Sequence, residues 1–215
     1  MELTDRDLYI LKLVHKFRFC LGKHIMLLAG FTGLRATDRR LKALIEAEYL
    51  TRKKYMYGVP YLYTLTHKGR ILLGANKRED KIRIDRITHD IYVLEAVIFC
   101  ILTLGITLAD TLSEKELHIM DGYGARKHHP DFVIKIDNEK NGKNEILAVE
   151  VELNPKTKNR MEQNVRDNYM NFDKQIWITD DSKVISLLHG FENEYSNIEL
   201  LSLEKVLEYV KKRYN

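Results

Sequence analysis

The sequence predicts an α/β protein, α+β overall, made of two domains, and three observations carry that prediction. Positive charge is gathered at one end: residues 1–90 hold 19 Lys and Arg against 10 Asp and Glu, a balance of +9, whereas residues 91–215 hold 16 against 21, a balance of −5. Helical periodicity fills the first fifty residues and gives way to an aromatic hairpin pattern, while the last two-thirds of the chain alternates strand-like and helix-like segments. Between the two, "GANKREDKIRIDR" (74–86) is charged and nearly free of large apolar side chains, as a linker is. The expected boundaries are therefore 1–74, a linker at 75–87, and 88–215.

A chain of 215 residues with 45% apolar content can bury a real core, which excludes a disordered protein. "MELTDRDLYI" carries acids where a signal peptide needs basic residues, and the apolar run Tyr92–Leu104 contains Glu95 and is short for a bilayer, so a cytoplasmic protein with no membrane partner is expected. Cys20 and Cys100 lack CxxC spacing and sit in apolar surroundings, as core thiols do.

The elements follow in order. "LTDRDLYILKLVHKFRF" spaces its apolar residues for a helix, with Thr4 as N-cap and Asp5 and Asp7 at the positive end of the helix dipole. "GKHIMLLAG" reads as a short helix closed by Gly30. "TGLRATDRRLKALIEAEYL" reads as a third, with Leu41, Leu44, Ile45 and Leu50 facing inward. "YLTRKKYMY" and "YLYTLTHKG" flank a Gly-containing turn and predict a hairpin, and Thr66 caps a further helix. Three short helices followed by a hairpin is the element order of a winged helix-turn-helix, a DNA-binding fold whose third helix enters the major groove and whose wing contacts the backbone. Candidate DNA-binding residues are Arg35, Thr37, Arg39, Arg40 and Lys42 on the third helix and Arg52, Lys53, Lys54 and Tyr57 on the wing. Cationic side chains neutralise phosphates, while Arg, Asn or Thr read base edges.

In the second domain, "THDIYVLEAVIFCILTLG" predicts a long helix capped by Thr88 and apolar on most sides, hence buried. "HHPDFVIKID" and "EILAVEVELN", joined by "NEKNGKN" with Gly142, predict a second hairpin. Side chains two apart share a face, which places Asp131, Val133 and Lys135 together on the first strand and Ala148, Glu150, Glu152 and Asn154 together on the second, turned away from the inward Leu147, Val149, Val151 and Leu153. Three carboxylates and a lysine are thus expected to converge outside the core. Such a trio is either a weak metal site or a solvated strand face with Lys135 as counter-charge. The remainder alternates helix, strand, helix, strand, helix over 156–214, an α/β layout around a mixed sheet.

"PD" in one strand, followed nineteen residues after its Asp by "EVE" in the next and then by a helix, resembles the PD-(D/E)xK restriction-endonuclease-like fold. That resemblance implies Mg²⁺ held by Asp131 and Glu150 and a lysine two residues on that activates water; Glu152 stands at the lysine position, and Lys135, Lys156 or Lys158 are the substitutes within the neighbouring elements. In element order nearly the whole chain is similar to the replication-relaxation family of plasmid and mobile-element proteins, with the family's histidine mapped to His89, its strand acid to Asp131 and its Glu-x-acid pair to Glu150 and Glu152. The family implies a DNA-binding role in replication, relaxation or mobilisation, with double-stranded DNA, a relaxase or replication protein, or a second copy of the chain as partners. Two alternatives stand beside it: an Mg²⁺-dependent endonuclease using Asp131, Glu150 and a relocated Lys135, and a winged-helix transcriptional repressor with "LEKVLEYVKKRY" as a dimer helix.

Overall fold

The first helix, α1 (Asp5–Phe17), begins with a reciprocal capping box: the Thr4 hydroxyl accepts from the Asp7 N–H at 3.3 Å, and the Asp7 carboxylate accepts from the Thr4 N–H at 2.7 Å. The computed structural model describes residues 2–75, 81–121, 128–138 and 143–214. They divide into a first unit, Met1–Leu94 with Lys212–Asn215, and a second, Glu95–Lys211.

In the first unit α1 is followed by β1 (Cys20–Leu21), α2 (Gly22–Leu28), α3 (Leu34–Glu46), β2 (Leu50–Lys53), β3 (Leu62–Leu65) and α4 (His67–Leu72). Gly30 leaves α2 at φ +63°, a conformation that side chains other than glycine rarely adopt. The hairpin pairs Leu50 with Leu65 and Lys53 with Leu62, antiparallel. β1 adds to the other edge of β3, giving a small antiparallel sheet of order β1-β3-β2. Two residues are too few to show alternation, which is why β1 is silent in the sequence. Ile10, Leu11, Leu13 and Val14 of α1 are buried, as are Ile25, Leu41, Leu44 and Leu62; each burial contributes about 1.5–3 kcal/mol. Thr66 caps α4 by accepting from the Gly69 N–H at 3.1 Å. Gly69 itself is obligatory, because a Cβ there would lie 2.3 Å from the Tyr49 carbonyl oxygen.

A bidentate polar contact joins α1 to α3. Arg40 Nε donates to Asp7 Oδ1 at 2.5 Å and Arg40 Nη2 to Asp7 Oδ2, a bidentate pair on a carboxylate with no solvent exposure. Burial pushes the Asp7 carboxyl up, but the bonds from Arg40 and Thr4 outweigh it and hold it below its ordinary value. Asp7 therefore adds stability above the usual carboxylate range and loses it as pH falls through its lowered value.

The second unit takes up α5 (Ile87–Leu104) partway along its length. It continues with β4 (Thr111–Ser113), α6 (Glu114–Met120), β5 (Phe132–Asn138), β6 (Lys143–Val151), α7 (Lys158–Asn171), β7 (Lys174–Ile178), α8 (Ser182–Phe191), β8 (Ile198–Leu201) and α9 (Leu203–Lys211). Its sheet has the order β4-β5-β6-β7-β8, antiparallel from β4 to β6 and parallel from β6 to β8. The architecture is thus mixed α/β: helices with a small antiparallel sheet, then a five-stranded mixed sheet with helices.

Several expectations are revised. Thr88 is not a cap, because a 3-10 turn at Ile84–Arg86 runs directly into α5 at Ile87. The apolar stretch is correspondingly longer than Tyr92–Leu104: Ile84–Leu104 is long and apolar enough by length and composition to cross a membrane. Val93 through Ile98 and Cys100 are buried, the pattern of a core helix. Within the expected linker, residues 76–80 lie outside the described residues, as do 139–142 of "NEKNGKN" with its Gly142.

Both faces of β6 are covered from Leu147 onward, which overturns the picture of Glu150 and Glu152 leaving the core. Along β6, Leu147, Ala148, Val149, Glu150 and Val151 are all buried, and Glu152 just beyond it is 8% exposed. One face packs Trp177 against Met161 and Val165 of α7 and Val184, Leu188 and Phe191 of α8. Glu150 lies in register with Trp177 and so belongs to that face. Helix α9 buries Leu203, Val206 and Val210 and sets Tyr209 edge-on to Phe99 at 5.3 Å.

Arg40→Ala is expected to lower the unfolding free energy by about 3 kcal/mol at pH 7 in chemical denaturation, since it strands a buried carboxylate. The deficit shrinks as pH falls below the usual carboxylate range, where protonation removes the stranded charge. A deficit that stays constant with pH assigns the loss to packing instead.

Candidate functional site

On α3 the basic residues separate by direction. Arg35 and Arg39 are exposed, and Lys42 is exposed and 3.8 Å from Glu46 one turn on. Arg40 is held by Asp7, and Thr37 is fully buried with its hydroxyl donating to the Gly33 carbonyl at 3.0 Å. Thr37 and Arg40 therefore serve the helix and its docking, not the outer surface. The physical reason is the helical period: 37, 40, 41 and 44 share the face turned to the core, while 35, 39 and 42 lie opposite.

The hairpin is built differently. Each of its cations lies over a tyrosine: Arg52 over Tyr61 at 5.0 Å, Lys53 over Tyr55 at 5.2 Å, and Lys54 over Tyr57 at 5.8 Å. Tyr57 is 99% exposed and stands clear of its own fold. The rings orient the cations without neutralising them, and the result is a positive surface with flat aromatic faces.

The second unit gathers a different chemistry around Glu150. Its Oε1 accepts from Asn168 Nδ2 of α7 at 3.3 Å and lies 2.8 Å from His128 Nε2. Asp131, at the entrance to β5, accepts the Val151 N–H on its Oδ2 at 2.8 Å, which holds it beside the end of β6. Burial pushes the Glu150 carboxyl up and the Asp131 charge adds to this; the bond and charge of His128 and the charge of Lys156 oppose it, and the net direction is upward. Glu152 pairs with Lys156, which lies two residues before α7 begins.

The expected quartet is therefore only partly assembled. Asp131 and Glu150 come together, and Glu152 is close by with its own counter-ion. Lys135 is not part of the cluster: it pairs in register with Ile146, four residues from Glu150, roughly 13 Å along the strand. The lysine that reaches the acids is Lys156. His89 is engaged with its own helix turn, its Nδ1 3.4 Å from Arg86 Nη2 and 3.3 Å from Asp90 Oδ1. The histidine bound to Glu150 is His128.

A third cluster adjoins the second. His118, Asp121 and His129 bring their ligand atoms within 4.8 Å of one another. His118 and Asp121 stand on α6 and at its C-terminal end, a helix no expectation included. The signal for it was present, since Ser113 and Glu116 have capping-box spacing. The Ser113 hydroxyl accepts from the Glu116 N–H at 3.3 Å, and Glu116 Oε2 accepts from the Ser113 N–H at 2.8 Å. His128 and His129 were visible as "HH" before "PD", with nothing local to show which carboxylates they meet.

Against known proteins, the chain matches no family model, curated protein or solved structure.

Raised pKa in a buried carboxyl has a definite consequence. Glu150 favours folding most when protonated, at pH below its unfolded value, and that contribution is lost as pH rises through its elevated folded value. Glu150→Gln keeps an oxygen acceptor for Asn168 and removes the charge. Its melting temperature relative to the wild type is expected to increase from pH 4 to pH 8, read by thermal denaturation across buffers. A difference that falls with pH means that ionised Glu150 is stabilised by its partners.

Proposed function

We propose that the protein is a duplex-DNA-binding accessory protein of a plasmid or mobile element, acting in replication, relaxation or mobilisation. The observation that carries this reading is the outward cationic set of the first unit, Arg35 and Arg39 on α3 with Arg52, Lys53 and Lys54 on the hairpin, beside the fully exposed Tyr57. In this reading the first unit is a winged helix-turn-helix, α3 enters the major groove, and β2 and β3 form the wing on the phosphate backbone. The second unit is a PD-(D/E)xK-like scaffold of the kind the replication-relaxation resemblance implies. It is catalytically silent and serves dimerisation or recruitment of a relaxase or replication protein. The acidic balance of residues 91–215 supports assigning DNA contact to the first unit alone.

Salt dependence tests it. Five phosphate contacts give a slope of log affinity against log salt of about −4.5 on duplex DNA, and Lys53→Ala with Lys54→Ala reduces that slope by about two. Arg35→Ala with Arg39→Ala weakens binding at constant fold, measured by fluorescence anisotropy with circular dichroism as control. Affinity that ignores ionic strength, or survives both double variants, refutes the proposal.

The position of Lys156 favours a second reading. With Asp131 and Glu150 adjacent and Lys156 paired to Glu152, the cluster has the residue types of an Mg²⁺-dependent endonuclease, the carboxylates as hard oxygen ligands and Lys156 beside them in the role first assigned to Lys135. Supercoiled plasmid incubated with Mg²⁺ or Mn²⁺ separates the two readings. Nicking or linearisation that Asp131→Ala and Lys156→Ala each abolish supports the nuclease; intact plasmid at every metal concentration supports the silent scaffold.

A further inference from the structure

We propose that His118, Asp121 and His129 form a binding site for a divalent d-block cation, Zn²⁺ foremost, separate from the Asp131–Glu150 pair and independent of the DNA-binding reading. The three ligand atoms lie within 4.8 Å of one another. His129 Nε2 is 2.5 Å from Asp121 Oδ2, and the His118 and His129 rings meet edge to face, centroids 4.8 Å apart at 79°. Donors bound at about 2.0–2.2 Å to one tetrahedral ion stand roughly 3.4 Å apart, so the ion enters as the His118 ring turns in and the Asp121–His129 hydrogen bond opens by roughly 1 Å, both of them side-chain movements. His118 is the solvent-facing member, with its side chain 44% exposed, which supplies both that freedom and an entry path for the ion.

The donor chemistry selects the metal. Two imidazole nitrogens and one carboxylate oxygen suit borderline ions, whereas Mg²⁺ and Ca²⁺ require oxygen-rich shells. Three protein ligands leave a coordination position for water. The surroundings are those of a built site. His118 and Asp121 are three apart at the C-terminal end of α6, hence on one face of it. The start of α6 is fixed by its capping box and by the Glu114 N–H donating to the Asp131 carbonyl at 3.0 Å. Glu114 Oε1 lies 3.7 Å from His118 Nε2, which puts a further carboxylate near the ring without a hydrogen bond that would fix it.

The site also has a consequence for its neighbour. His129 is next in the chain to His128, which bonds Glu150, and two residues before Asp131, which bonds Val151. An ion bridging α6 and His129 clamps the end of α6 to the segment entering β5, and so fixes where His128 and Asp131 stand.

The test uses the full chain, free of any affinity tag and stripped with chelator, titrated with Zn²⁺ by calorimetry and with Co²⁺ by visible absorption. Expected are saturable binding of one equivalent and, for Co²⁺, a ligand-field spectrum. His118→Ala and Asp121→Asn each weaken binding more than about tenfold, while His189→Ala, which removes an exposed histidine of α8, leaves it unchanged. The exposed His118 makes its variant safe for the fold, with circular dichroism to verify this. Absence of saturable Zn²⁺ binding overturns the proposal. So does binding that both variants leave intact, or a loss in His189→Ala as large as in His118→Ala, which marks adventitious surface binding.

Discussion

A carboxylate on a strand covered from both sides is the constraint around which the second unit is arranged. Glu150 sits in register with Trp177 beneath α7, where an isolated charge would cost several kcal/mol. Its burial is tolerable because Asn168 and His128 both reach Oε1. Meeting that requirement brings three stretches of chain to one point: the segment entering β5, the end of β6, and the last turn of α7. Asp131, adjacent to His128 through Pro130 and His129, is delivered to the same place and raises the local negative charge further. Lys156 pairs with Glu152, and its charge opposes the upward shift at Glu150.

The first unit solves a similar problem by the opposite means. Asp7 is also buried, yet it is matched by a bidentate guanidinium and two bonds from Thr4, so its carboxyl goes down where that of Glu150 goes up. The match consumes Arg40 and sorts the cations of α3 into one that holds the helix in place and others that face outward. An arginine's identity says nothing about which of these it will do. The partner 33 residues away decides it.

Much of the fold was legible because local rules were obeyed. Thr4 and Thr66 cap the helices that follow them, and the alternating aromatic segments form the hairpin with its three cation–tyrosine pairs. Legibility failed where an element was too short to show a period, as with β1 and β4, or where a capping signal was not followed through, as with Ser113 and α6. At Thr88 a cap-type residue stood one position inside a helix already begun by the preceding 3-10 turn.

By itself the sequence determined the longer helices and strands in their order, the basic first part, and the placing of an Asp at the start of one strand against a Glu-x-Glu at the end of the next, because each follows from spacing along the chain. Whether those acids face water was left to the tertiary structure, since alternation assigns side chains to two faces but does not say what covers either face. The closing of α7 and α8 over one side made Glu150 a buried group with specific partners. The same holds for Lys135 and Lys156. Both lie within reach on paper, but only the strand register and the start of α7 put one of them roughly 13 Å away and the other beside the acids. A side chain extends only a few ångströms, so the groups that can act together are chosen by packing.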